Sequence, residues 1–215
     1  MSAIKEIKAK DVIAGTVKGA LSITPVTSFF LQVFESTKAG VLKRRFEQWQ
    51  EEVEKKLSAL SEQILSSLGE NDSFATTLIK STELAVKTSS KKMECLANAV
   101  KYAAENDIDE DSLVIFLSII DRYTLSHFVL LRYFQNPEAY KGTNNYMAGS
   151  ALTYFHDYYP DFDKDKERLI MRTLFQDGLI TLESDATMTE SGMSVKRTTG
   201  LGDTFISFFG IGGEL

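Results

Sequence analysis

The segment that most constrains this chain is residues 112–134, SLVIFLSIIDRYTLSHFVLLRYF. No other stretch is as dense in large aliphatic and aromatic side chains. Its length suffices for a membrane span. Asp121, Arg122, His127 and Arg132 interrupt it, and charges at mid-bilayer are costly. Thr124 has the character of a helix N-cap and divides the stretch in two. The pattern therefore predicts a helix over 110–122 and a second over 125–135, ended by Asn136-Pro137. Asp109, Glu110 and Asp111 suit the positive end of the first helix. That helix is apolar nearly all round, which predicts that other helices enclose it.

Net charge is −6, from 24 basic and 30 acidic residues, which argues against wholesale coating of nucleic acid but allows a local basic patch. The single cysteine, Cys95, excludes an internal disulfide and a multi-cysteine metal site. It fits a small core residue in a reducing compartment, and the reading is cytoplasmic. No secretory signal is evident. Residues 12–34 hold one charge, Lys18, with Gly15 and Gly19 at GxxxG spacing. Ser22, Thr24, Thr27, Ser28 and Gln32 dilute the segment. It reads as two short helices, 3–22 and 25–36, packed on the core, with membrane contact as the competing use.

From 39 to 68 an apolar stripe recurs every third or fourth residue through Leu42, Phe46, Trp49, Val53, Leu57, Leu60, Ile64 and Leu68. It predicts one long helix of roughly 45 Å, backing onto the core or projecting as a dimer arm. Helices over 73–88 and 90–105 follow. Nothing before residue 124 reads as a strand.

Beyond 124 the pattern changes. Helices are expected at 125–135, 146–158 and 164–176, the last closed by Asp177-Gly178. A strand at 179–182, a turn-rich segment, a return strand at 194–199 and a short helix at 202–209 complete the order. The fold class is mainly α: a helical bundle over 1–123, then a domain over 124–215 with a small β-hairpin.

LSHFVLLRYFQNP, ERLIMRTLFQDGLITL and MSVKRTTGLGDTFISFF resemble, in turn, the first helix, the third helix with its wing strand, and the second wing strand with trailing helix of a winged helix-turn-helix module. The whole chain resembles bacterial proteins that join a helical front half to such a module, a likeness that implies no activity. In winged-helix regulators the third helix enters the major groove and the wing touches the backbone. The resemblance thus makes Lys164, Lys166, Arg168, Arg172, Lys196 and Arg197 the candidate nucleic-acid contacts. Against DNA binding, residues 124–215 hold 8 basic and 12 acidic side chains, whereas phosphate binding needs a positive face.

Chemistry-bearing motifs are absent: no HExxH, no Walker loop, no GxGxxG and no GxSxG. His127 reads as a hydrogen-bonded structural residue, and His156 has no second ligand at helical spacing. Asp161, Asp163 and Asp165, like Asp107, Asp109 and Asp111, copy the start of a calcium loop but lack its glycine and final glutamate. Both strings read as helix-start charge. No cofactor or metal is expected. The leading reading is a non-catalytic protein-interaction or regulatory scaffold with a protein partner or self-association. A DNA-binding regulator is the alternative, and a membrane-active protein using residues 12–34 the second alternative.

Overall fold

The computed structural model describes residues 39–211. The two helices expected over 3–22 and 25–36, and with them the membrane-facing use of 12–34, lie outside the described residues. Within them the chain is mainly helical, with one small two-stranded antiparallel sheet. Its contacts form two compact units, one running to Asp121 and including 208–210, the other spanning 122–207 and Ile211.

The first unit holds α1 (Ala39–Leu57), α2 (Glu62–Ser67), α3 (Asp72–Ala85), α4 (Ser90–Glu105) and most of α5 (Glu110–Arg122). Trp49, Val53 and Leu57 of α1 are buried. The Trp49 indole donates to Thr82 Oγ1 at 2.9 Å, satisfying a polar tip inside an apolar interface. Leu42 and Phe46 pack on Val86. The expected single helix over 39–68 does not form. It stops at Leu57, and Ser61 caps a new helix by accepting the Ile64 amide. Ser58 donates to the Lys55 carbonyl at 2.8 Å, the local side-chain competition by which serines weaken a helix. After the break Leu65 is buried where Ile64 was expected, while Leu60 and Leu68 are buried as the stripe predicts.

Asn71 starts α3 by accepting the Phe74 amide at 2.7 Å. Along α4, Cys95, Ala97, Ala99 and Ala103 are buried beside the expected Met93, Leu96, Val100 and Ala104. This wide small-residue face permits close helix approach. Asp109 accepts the Ser112 amide at 2.8 Å, the helix-start role read for its acidic string. Along α5, Leu113, Phe116, Leu117, Ile119 and Ile120 are buried. Full enclosure of this helix is not observed: Val114 and Ile115 are exposed. Phe208 packs against Tyr102 and Phe116, each with ring centroids 5.5 Å apart.

The second unit is built on α6 (Leu125–Gln135), which buries Phe128, Leu130, Leu131, Tyr133 and Phe134. Thr124 is its N-cap, and its backbone amide donates to His127 Nδ1 at 3.1 Å, so His127 is part of the cap. There follow β1 (Ala148–Ser150), α7 (Thr153–Tyr158), α8 (Lys164–Gln176), β2 (Thr187–Thr189), α9 (Glu190–Met193) and α10 (Gly200–Phe209), whose last two residues belong to the first unit. β1 pairs with β2 through Ala148–Thr189, Gly149–Met188 and Ser150–Thr187.

Three expectations are corrected here. The helix over 146–158 begins only at Thr153. Thr153 Oγ1 accepts the Ser150 amide at 2.8 Å, and a Cβ on Gly149 would strike Thr153 and Met193, so the chain stays extended there. The strands at 179–182 and 194–199 shrink to a single bridge, Ile180–Thr198, flanked by Thr181 N–Arg197 O and Thr199 N–Leu179 O bonds. The paired strands are therefore not the expected hairpin of 179–182 with 194–199. β2 lies inside the segment read as turn-rich, and its partner comes from before α7.

Candidate functional site

The elements around α8 concentrate the side chains with chemistry. Asp163 caps the helix, its Oδ1 accepting the amides of Asp165 and Lys166 at 3.0 Å each. Those amides, Lys166 first, hold its carboxyl below the usual value. Ile170, Met171 and Leu174 face inward with Glu167. Asp165, Arg168, Leu169 and Arg172 recur at helical spacing on the outer face. Leu169 is 66% exposed there, a large apolar side chain between two arginines. At the helix end Gly178 adopts φ +71°, and the Gly178 and Leu179 amides donate to the carbonyls of Phe175 and Leu174. This is the glycine-dependent Schellman stop.

Beside this face lies a groove of about 590 Å³. Buried Leu152 and Met171 form its floor. Arg168 and Arg172 line it from α8, and Glu183, Ser184 and Asp185 from the segment that follows. Glu167 also lines it, at 5% exposure the one buried charged residue among those described. Its Oε2 lies 2.7 Å from His156 Nε2. A buried carboxylate without a partner would be strongly unfavourable, and this histidine supplies the partner.

The six candidate nucleic-acid contacts fall into separate environments. Lys166 pairs with Asp163 at 3.7 Å and Arg168 with Asp165 at 3.8 Å, both on the surface of the same helix. Lys196 pairs with Asp203, which also accepts the Thr198 hydroxyl at 2.7 Å. Arg197 departs furthest from a wing-tip contact. Its backbone amide donates to Phe134 O at 2.8 Å and its guanidinium to Gly192 O at 2.9 Å, so it fastens the 188–192 segment from within. Lys164 and Arg172 are exposed and make no ion pair with a described residue. Only Arg168 and Arg172 share the groove.

Sequence reasoning missed the His156–Glu167 pair, because the partners lie on different helices. The signal was present in Glu167, which keeps the spacing of Ile170, Met171 and Leu174 and so belongs to the buried face. The acids Glu183 and Asp185 carried no local signal at all.

Compared with known proteins, the chain matches no family model. No curated protein and no solved structure matches it either. Among the described residues, no group of three or more His, Cys, Asp or Glu side chains is arranged to hold a metal ion. No described helix is long and apolar enough to cross a membrane.

Proposed function

We propose that this chain is a non-catalytic protein-interaction or regulatory scaffold whose winged-helix-like second half docks a protein partner through the outer face of α8. The observation that carries this reading is Leu169, 66% exposed and flanked by Arg168 and Arg172. Arginine is enriched at protein interfaces, and the exposed leucine between two of them adds apolar area to the same face. The order helix, strand, helix, helix, with the 180–198 bridge after it, supports the winged-helix comparison.

Duplex DNA is the second reading, and exposed Lys164 and Arg172 favour it. Against it stand the acids paired with Lys166, Arg168 and Lys196, since each neutralised cation releases fewer counterions from phosphate. A photo-crosslinking residue at position 169, compared with one at exposed Glu83, separates the readings. A discrete protein adduct at 169, lost with Arg172→Glu and absent at 83, is expected, with no retardation of short duplex DNA at low salt. Equal adducts at both positions, or retardation that salt reverses, would overturn it.

A further inference from the structure

The α8 groove holds opposite charges that do not meet. Arg168 and Arg172 line it from the helix, and Glu183 and Asp185 from the segment after it. The one ion pair any of the four makes with a described residue is that of Arg168 with Asp165, at 3.8 Å and with both side chains largely exposed. Such a surface pair is weak and easily exchanged. Four charges around an apolar floor thus remain available to a fifth body.

The spacing of the two charge pairs suits an extended peptide. Arg168 and Arg172 are one helical turn apart, about 6 Å along the axis. Glu183 and Asp185 are two residues apart, at most about 7 Å along the chain. An extended peptide repeats its side chains on one side every two residues, about 6.6 Å, and points alternate ones to opposite sides. Because the arginines line the groove from α8 and the acids from the segment after it, a peptide lying between them can offer one set of side chains to each. The aliphatic stem of a lysine covers an apolar floor such as Leu152 and Met171 while its ammonium stays at the rim. A volume of about 590 Å³ falls in the range of binding clefts, about 300–1,000 Å³.

We infer that the groove is a docking site for an extended peptide segment of a partner in which acidic and basic side chains alternate. Acids face Arg168 and Arg172, and lysines face Glu183 and Asp185. This rests on the protein-interaction reading above and names the chemistry of the partner at that site.

The test uses the full chain and four blocked hexapeptides, followed by shifts of backbone amide resonances at low salt. The first alternates Glu and Lys. The second has the same composition in two blocks, and the third and fourth replace every Lys or every Glu with Gln. The alternating peptide is expected to bind at least tenfold more tightly than the other three, with shifts confined to α8, Leu152 and residues 183–185. The double variant R168E/R172E abolishes this preference. The quadruple variant R168E/R172E/E183K/D185K exchanges the two sides and recovers it, because an alternating peptide fits either polarity. The inference is overturned by equal binding of the blocked-order peptide, by an unchanged affinity in R168E/R172E, or by no binding of any peptide. A retained crosslink at 169 with no peptide binding removes this inference alone. Loss of the crosslink removes the interaction reading itself.

Discussion

His156 Nε2 and Glu167 Oε2 stand 2.7 Å apart, joining α7 to the buried side of α8. Glu167 is 5% exposed, so its carboxylate depends on this one side-chain partner. His156→Ala is expected to destabilise the chain by about 2 kcal/mol, less than breaking a fully buried pair costs because the imidazole is partly exposed. Glu167→Gln, which keeps a polar side chain opposite His156, is expected to cost less. Urea titration of both variants checks the order; a smaller loss for His156→Ala would refute the assignment.

Tyr123 donates its hydroxyl to Asp177 Oδ2 at 2.8 Å, and Arg122 donates to Oδ1 of the same carboxylate at 3.0 Å. Burial, reinforced by that carboxylate, pushes the phenol well above its ordinary value, so it stays a donor at all working pH. Tyr123→Phe removes a bond to a charged acceptor and is expected to cost about 1.5 kcal/mol. Arg122→Ala, at the exposed side, is expected to cost less than half as much. Denaturation midpoints of the two variants decide between them.

Burial works to raise the Asp203 carboxyl, but hydrogen bonds from Lys196 and Thr198 outweigh it and hold the group below its ordinary value. A depressed folded value means that the stabilisation is present above the ordinary carboxylate range. It is lost as pH falls through the folded value. The wild-type chain is therefore expected to lose stability relative to Asp203→Asn as pH falls through and below the ordinary carboxylate range. Parallel stability profiles for the two proteins would sink the assignment.

Burial pushes the Cys95 thiol up from 9.0 to about 11. The fold thus favours the neutral thiol. This contribution is complete below the ordinary value and disappears as pH rises through about 11. At pH 8 a thiol-specific reagent is expected to leave the folded chain unmodified and to label the urea-unfolded chain at once. Rapid labelling without denaturant would show that α4 opens.

Gly202 sits against the Leu179 backbone carbonyl, where a Cβ would collide with it. Gly178 holds a positive φ that other residues adopt at a cost of about 1–2 kcal/mol. Gly178→Ala is expected to lower stability by about 1 kcal/mol. Gly202→Ala is expected to cost more, because backbone cannot move aside as a flexible side chain does. Thermal melts of the two variants test that ranking.

Much of the helical architecture was legible because its signals are local. Thr124 capping 125–135, Asp163 opening 164–176 and Gly178 closing it each act within a few residues of themselves. The 39–68 reading failed for an equally local reason: a continuous apolar stripe hides a break when serines at 58 and 61 offer the backbone other partners. Strand pairing was less legible, since β1 is extended by its contacts with Thr153 and by a partner 39 residues away at the Gly149–Met188 pair.

By itself the sequence determined a mainly helical chain, most helix ends, a net negative second half and the absence of familiar catalytic motifs. Only the tertiary structure decided that Arg197 turns to Gly192, that His156 meets Glu167, and that Glu183 and Asp185 share a groove with Arg168 and Arg172. Caps and amphipathic periods are written in neighbours along the chain. Charge neutralisation and groove lining depend on which segments meet in space, a contact that no local spacing encodes.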